Sequence, residues 1–192
     1  MKCAGFVLAG GSSSRMGRDK ALLPLAGATL LEHVAGQVRQ ATGSVVVIGP
    51  PERYAALGLR VVPDLVPGGG PLGGIFTALT RSPAEWNLIV ACDLAGIRAR
   101  FLRDLLEAAR DSRADCVAPV DPEGFLQPLC AVWRRACLPV VAQALRQGQR
   151  KVLAVLARLS VAPYPVAGTA WLVNVNTPED WAVAQTSRKP HE

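Results

Sequence analysis

The chain has 192 residues, of which 50% are hydrophobic and 19% charged, and its formal net charge is +6. This composition excludes a disordered chain, and the length predicts one domain over residues 1–186 with a flexible tail over 187–192. The positive charge favours an acidic ligand. Because only 5% of the residues are aromatic and the arginines are scattered, we expect no nucleic-acid partner.

The five cysteines never form a C-x-x-C pair, and their odd number argues against a disulfide framework or a zinc site. We expect reduced thiols in the cytoplasm. No apolar stretch approaches the ~20 residues that a membrane helix needs. The apolar run near the amino terminus ends at Gly10 before any cleavage site, so we expect neither a signal peptide nor membrane binding.

The first predicted element is a buried strand over residues 3–9, which runs directly into glycines and serines. The adjacent Gly10 and Gly11 leave backbone N–H groups free to turn toward a ligand. Three cations follow closely: Arg15, Arg18 and Lys20. Together they predict a site for a polyanion such as a nucleoside triphosphate, the alternative being a solvated basic surface loop.

This loop differs from a Walker A motif. The lysine at position 20 is followed by Ala21, where a Walker A loop has the Ser or Thr that ligates magnesium. The metal ligands must therefore come from elsewhere in the chain.

The remaining elements follow from hydrophobic periodicity and turn residues. After an extended piece at 22–25, Thr29 begins a helix whose Leu30, Leu31, Val34 and Val38 recur at helical spacing. Further helices are predicted at 52–57, 72–79, near 102–110, at 134–147 and at 151–159. Strands are predicted at 44–48, 59–62, 86–92, 115–119, 127–133 and 161–166, and Thr177 caps a last helix.

The succession of strand and helix predicts an α/β fold in three layers, with a mostly parallel, Rossmann-like sheet between helices. The strands at 115–119 and 127–133 are joined by a short turn and add an antiparallel element. Pro163 and Pro165 place the last strand at an edge of the sheet.

Two aspartates follow predicted strands, Asp64 after 59–62 and Asp93 after 86–92. In an open α/β sheet ligands collect beyond the carboxyl ends of the strands, so both should approach the first loop. Magnesium bound to a nucleotide is held by one or two carboxylates. We predict Asp93 as the Mg²⁺ ligand, with Lys20 and Arg15 stabilising the phosphates during catalysis. The alternative for Asp93 is a carboxylate that caps the following turn.

A second glycine-rich segment offers a competing interpretation. Gly68, Gly70 and Gly73 satisfy G-x-G-x-x-G, and Asp93 lies twenty residues after the last of them, as in a dinucleotide-binding oxidoreductase. The residues between Asp64 and the first of these glycines separate the motif from its strand. This interpretation also leaves the first loop without a role.

The segment from Leu8 to Gly27, L-A-G-G-S-S-S-R-M-G-R-D-K-A-L-L-P-L-A-G, resembles the signature of the MobA-type nucleotidyltransferases, the molybdenum cofactor guanylyltransferases and their cytidylyl and sugar-phosphate relatives. The resemblance implies a fold like that of the nucleoside-diphospho-sugar transferases. It also implies transfer of GMP from GTP to molybdenum-bound molybdopterin with Mg²⁺. It leaves room for protein partners that deliver or accept the molybdenum cofactor.

The resemblance also assigns residues. Nucleotide binding is implied for Leu8, Ala9, Gly10, Gly11, Lys20, Asp64, Gly70, Pro71, Leu72 and Asp93. Contact with molybdopterin, the second substrate, is implied for Gln127, Pro128, Asn174 and Asn176. The Leu-Ala-Gly-Gly sequence favours GTP, since cytidylyl relatives more typically have Leu-Ala-Ala-Gly.

Two positions depart from the family pattern. Asp93 is followed by Leu94-Ala95-Gly96 instead of the x-Pro common among relatives, and residues 48–50 read Ile-Gly-Pro where some relatives have an Asn that contacts the nucleotide. Transfer of CMP or of a sugar phosphate, and nucleotide binding without catalysis, therefore stay open as alternatives.

Overall fold

A computed structural model describes residues 2–10, 19–25, 27–168, 171–172, 174–175, 177 and 180–182. The strands are β1 (Cys3–Leu8), β2 (Pro24–Leu25), β3 (Ala28–Thr29), β4 (Val46–Ile48), β5 (Val61–Val62), β6 (Trp86–Ala91), β7 (Cys116–Val120), β8 (Cys130–Arg134) and β9 (Val161–Pro165). The α-helices are α1 (Leu30–Thr42), α2 (Pro51–Tyr54), α3 (Gly70–Arg81), α4 (Ala99–Asp111), α5 (Leu138–Arg146) and α6 (Val152–Leu156).

Seven strands form one sheet in the order β5-β4-β1-β6-β8-β7-β9. Strands β5, β4, β1 and β6 run parallel, as do β7 and β9. Strand β8 is antiparallel to both of its neighbours, β6 and β7. The predicted mostly parallel sheet, its antiparallel element and the edge position of the last strand are confirmed.

The sheet separates two hydrophobic cores. One contains α1 and α4 side chains such as Leu31 and Leu105, and the other contains α3, α5 and α6 side chains such as Ile75, Val141 and Val155. Because β6 is covered on both faces, all six of its residues are buried. The predicted three-layer α/β architecture is therefore confirmed.

Helix α1 begins as its sequence predicts. The Thr29 hydroxyl accepts a hydrogen bond from the backbone N–H of Glu32, and the Glu32 carboxylate accepts from the Thr29 backbone N–H at 2.8 Å. This capping box satisfies donors that the first helical turn leaves unpaired. The predicted apolar face is fully buried, at Leu30, Leu31, Val34 and Val38.

Several element boundaries differ from the prediction. The stretch at 22–25 is not continuously extended: a 3₁₀ turn at Lys20–Leu22 precedes β2, which pairs antiparallel with the unpredicted β3. Two-residue strands are too short to show a period. Helices α2 and α6 are shorter than predicted, and a 3₁₀ turn at Ala55–Leu57 follows α2.

The predicted cap at Thr177 is present, because its hydroxyl accepts from the backbone N–H of Asp180 at 3.1 Å. The predicted tail, 187–192, lies outside the described residues. No helix among those the structure describes is long and apolar enough to cross a membrane.

Candidate active site

The candidate site lies where the neighbouring strands β1 and β6 end. The last residue of β1, Leu8, is paired with Ala91, and the backbone N–H of Cys92 donates to the Leu8 carbonyl at 3.0 Å. Both strands run in the same direction, so Gly10 and Asp93 leave the sheet at one edge. The predicted meeting of the first loop with the strand-end carboxylate follows from this pairing.

A cleft of about 610 Å³ opens at this edge. Eight residues that the sequence assigned to nucleotide binding line it: Leu8, Ala9, Gly10, Lys20, Asp64, Gly70, Pro71 and Asp93. Leu72, also assigned there, is fully buried in the core that contains α3 and does not line the cleft. Gly11 and Arg15 lie outside the described residues, so their predicted roles stay predictions.

The predicted phosphate-binding lysine and the predicted metal ligand are in contact. Lys20 Nζ lies 3.4 Å from Asp93 Oδ2, and the two side chains are 19% and 22% exposed. This partly buried ion pair places one positive and one negative group in the lining of the cleft. Its ammonium can donate to phosphate oxygens, and its carboxylate can ligate a divalent cation.

Asp64 is held by the helix that follows it. Its Oδ1 accepts from the Thr77 hydroxyl at 2.7 Å and from the backbone N–H of Val66 at 3.0 Å. Thr77 is fully buried and also accepts from the backbone N–H of Leu65 at 2.9 Å. The carboxylate therefore has a fixed orientation beside the cleft, and no hydrogen bond to its Oδ2 is present within the described chain.

The glycines near Asp64 allow close approach of the backbone. Gly68 and Gly70 have positive φ angles of 74° and 61°, which favour glycine. A Cβ on Gly73 would lie 2.9 Å from the Val66 carbonyl oxygen, and one on Gly74 would lie 2.9 Å from a Leu8 methyl. The segment thus packs the start of α3 against β1. The first N–H groups of a helix suit an anion, and this end of α3 borders the cleft at Gly70 and Pro71.

The residues assigned to the second substrate have other surroundings. Gln127 donates its side-chain amide to Asp121 Oδ2 at 3.0 Å, and neither it nor Pro128 lines the cleft, although Leu129 does. Asn174 is exposed and forms a β-bridge with Leu94, next to Asp93. Asn176 lies outside the described residues. These four assignments stay predictions.

Two oxygen-bearing side chains that were not predicted to belong to the site also line the cleft, those of Asp19 and Tyr54. The Tyr54 hydroxyl lies 2.9 Å from Asp19 Oδ2 and 2.9 Å from the Ala9 carbonyl oxygen. Burial, and then the hydrogen bond to Asp19, raise the pKa of Tyr54 above its usual range. A single tyrosine in a short helix indicates no particular partner in the sequence, because the groups that Tyr54 contacts lie 35 and 45 residues away along the chain.

Cys92 also borders the cleft, next to the predicted metal ligand. Burial, and then the negative charge of Asp93, raise the pKa of its thiol to about 12. The thiol therefore stays protonated at neutral pH, which makes it a poor nucleophile and a poor metal ligand.

The donors present fit a magnesium ion that arrives with a nucleotide. Mg²⁺ binds through one or two carboxylates plus phosphate oxygens and water, without a complete protein cage. No group of three or more His, Cys, Asp or Glu side chains that could hold a metal occurs in the described part of the chain. The Asp93 carboxylate therefore has the chemistry that such a shared ion needs, and the described site does not resemble a closed structural metal centre.

Residues 5–161 match the model of the MobA-like NTP transferase domain. The chain belongs to this family. It is 38% identical over 194 aligned positions to a "probable molybdenum cofactor guanylyltransferase" of Synechococcus elongatus, with 97% of this chain and all of the relative covered.

Two solved structures show the same fold as this chain. Molybdopterin-guanine dinucleotide biosynthesis protein A of Archaeoglobus fulgidus superposes with a TM-score of 0.83 at 26% identity, covering 96% of this chain and 97% of that one. A Mycobacterium tuberculosis protein in complex with manganese superposes with a TM-score of 0.71 at 19% identity, covering 96% and 98%. The predicted nucleotidyltransferase fold is therefore confirmed. As a MobA-like NTP transferase, the chain is an enzyme of nucleotidyl transfer. The alternative interpretation, a dinucleotide-binding oxidoreductase, is wrong.

Proposed function

We propose that this MobA-like NTP transferase transfers GMP from GTP to the terminal phosphate of molybdenum-bound molybdopterin. An oxygen of that phosphate forms a bond to the α-phosphorus of GTP, and the bond from the α-phosphorus to the bridging oxygen breaks. Pyrophosphate leaves with the electron pair. The nearly full-length similarity to a probable molybdenum cofactor guanylyltransferase supports these substrates, and the Leu-Ala-Gly-Gly sequence favours guanine.

The observation that carries the proposal is the contact of Lys20 with Asp93 in the cleft at the ends of β1 and β6. In-line transfer between two phosphates needs no covalent enzyme intermediate, only alignment and neutralisation of negative charge. Lys20 would donate to the phosphate oxygens on which charge develops, while the start of α3 would receive further oxygens. When bound, Mg²⁺ would supply electrostatic stabilisation of the phosphates.

Asp93 would hold that Mg²⁺, and Asp64, which also lines the cleft, would help to orient the nucleotide. The manganese in a structural relative supports a divalent cation, and Asp93, the cleft-lining carboxylate in contact with the Lys20 ammonium, is the anchor we assign to it. For the cellular setting, we propose the cytoplasm, where the free cysteines of the described chain would stay reduced.

The direct test measures pyrophosphate release and formation of the guanine dinucleotide from GTP and molybdenum-bound molybdopterin. Asp93→Asn should lower kcat/KM at least ~100-fold, because the metal anchor is lost. Asp104→Asn, an exposed carboxylate on α4, is the matched control and should keep wild-type activity. Full activity of Asp93→Asn would contradict the proposed metal ligand.

Nucleotide choice is tested separately. GTP, CTP and UTP are compared with Mg²⁺ in a thermal-shift assay and as substrates. We expect stabilisation and turnover with GTP. Turnover with CTP or UTP alone would overturn the guanylyl assignment in favour of cytidylyl or sugar-phosphate chemistry, and GTP binding without pyrophosphate release would indicate a non-catalytic relative.

A further inference from the structure

Tyr54 connects two parts of the candidate site that are distant in sequence. Its side chain is 1% exposed, and its hydroxyl lies 2.9 Å from both the Ala9 carbonyl oxygen and Asp19 Oδ2. We propose that Tyr54 is a positioning residue that holds Lys20 against Asp93, by fixing the residue before Lys20 to the end of β1. This inference rests on the proposed phosphate role of Lys20.

Asp19 transmits the position of Tyr54 to Lys20. Its Oδ1 accepts from the backbone N–H of Ala21 at 3.0 Å and so caps the 3₁₀ turn that contains Lys20. Its Oδ2, which faces Tyr54, also lies 3.7 Å from Arg53 Nη1. The two carboxylate oxygens of Asp19 therefore have different partners: Oδ1 caps the turn, and Oδ2 contacts Arg53 and Tyr54 of α2.

Ala9 is the fixed end of this connection. Its backbone N–H donates to the Ile48 carbonyl at 2.8 Å, which extends the pairing of β1 with β4 beyond Leu8. Its carbonyl then faces Tyr54. The hydroxyl that faces Asp19 thus lies against a backbone that is already anchored in the sheet, and the sheet also carries Asp93 at the end of β6.

Gly49 makes room for the tyrosine. A Cβ at this position would lie 3.0 Å from the Ala9 carbonyl oxygen and 3.1 Å from Tyr54 Cε2. A larger residue would press on both groups at the point where the hydroxyl meets the strand end. The ring is therefore placed by close packing, as well as by its hydroxyl.

The hydroxyl has one proton for two acceptors, so it donates to one of them at a time. A hydrogen bond to a charged carboxylate is stronger than one to a neutral carbonyl. Donation to Asp19 is thus favoured, and the raised pKa of Tyr54 keeps the proton on the hydroxyl at every pH at which the enzyme is assayed. Tyr54 touches no reacting atom in this scheme and acts through Asp19.

The test removes only the hydroxyl. Tyr54→Phe keeps the ring, and Tyr164→Phe on the edge strand β9 is the matched control, since the Tyr164 ring packs against Phe101 away from the cleft-lining residues. We expect Tyr54→Phe to lower kcat/KM for GTP about tenfold, the loss expected for a hydrogen bond to a charged group. The control should stay within about twofold of wild type.

A double-mutant cycle of Tyr54→Phe with Lys20→Met distinguishes positioning of Lys20 from general destabilisation. If Tyr54 acts through Lys20, Tyr54→Phe should lower kcat/KM little further in a protein that already carries Lys20→Met. Additive losses, or equal activities of the two tyrosine variants, would overturn the inference. Normal activity of Lys20→Met alone would instead refute the proposed function.

Thermal unfolding accompanies each assay. Should Tyr54→Phe fail to fold, Asp19→Ala removes the same contact from the other side. It should show at least the same loss of kcat/KM and the same non-additivity with Lys20→Met. Wild-type activity of Asp19→Ala would contradict the inference.

Discussion

Replacing Lys20 by Met removes a charge from the candidate site and keeps a similar apolar stem. In the structure the Lys20 ammonium nitrogen lies 3.4 Å from Asp93 Oδ2. Coulomb's law gives about 1 kcal/mol for that distance in water and about 5 kcal/mol at an effective dielectric constant of 20. Because desolvation and side-chain ordering oppose the attraction, we expect a net contribution of about 1 to 2 kcal/mol.

The same ammonium competes with any cation that approaches Asp93. The nucleotide-free Lys20→Met protein should therefore bind Mn²⁺ about tenfold more tightly than wild type, the equivalent of about 1.4 kcal/mol. Catalysis should change in the opposite direction. Loss of a donor that stabilises charge in the transition state should lower kcat/KM by about 100-fold or more. Titration of free Mn²⁺ by electron paramagnetic resonance measures the first effect, and pyrophosphate release the second.

Two control variants make the result interpretable. Lys151→Met removes an exposed lysine before α6 and should alter neither quantity. Asp93→Asn should abolish the Mn²⁺ binding in both the wild-type and the Lys20→Met backgrounds. The reasoning is refuted if Lys20→Met binds Mn²⁺ no more tightly than wild type, or if its Mn²⁺ binding survives Asp93→Asn.

Three further predictions concern stability and thiol chemistry. Thr29→Ala should lower the free energy of unfolding, measured with urea at pH 7, by about 1 kcal/mol. Because the hydrogen bonds from Thr29 lower the pKa of Glu32, the difference between the two proteins should shrink as the pH falls below about 4. A difference that does not change with pH would contradict this prediction. Gly5→Ala places a Cβ at 2.5 to 2.7 Å from heavy atoms of α1 and of the turn after it, so it should destabilise the protein by about 1 to 3 kcal/mol. Gly36→Ala is the matched control within α1: its Cβ would have open space around it, and it should stabilise the protein by up to about 1 kcal/mol. With a pKa of about 12, the Cys92 thiol should react slowly with iodoacetamide at pH 8 until the protein is unfolded. Rapid labelling of Cys92 in the native protein, seen by mass spectrometry, would contradict this raised pKa.

The sequence predicts those features that depend on local physics. Thr29 caps α1 because its side chain reaches a backbone N–H three residues away. Pro163 and Pro165 confine β9 to an edge because a proline cannot donate to a ladder. The strand-end position of Asp93 is local in the same sense, since the end of a buried apolar run marks the end of its strand.

Contacts between residues that are far apart along the chain are harder to predict from the sequence. The short turn between β7 and β8 predicts that these two strands pair, but nothing in residues 115–134 indicates that β8 also pairs with β6 and so lies between the two. The partners of Tyr54 lie 35 and 45 residues away, so no periodicity or motif connects them. The side chain of Leu72 belongs to the core although its neighbour Pro71 lines the cleft, a difference that the sequence motif does not indicate.

The geometry of the site depends on the register of β1 against β6. A slip of one residue would move one strand end by about 3.3 Å along the sheet and turn its side chains to the other face. That displacement is as large as the 3.4 Å separation of Lys20 Nζ from Asp93 Oδ2, so a slipped sheet could not form the pair. The apolar residues of both cores oppose such a slip, since Val7 and Val90 pack on one side of the two strands and Phe6 and Ile89 on the other. The hydrophobic layers therefore fix the distance between two charged groups that are 73 residues apart.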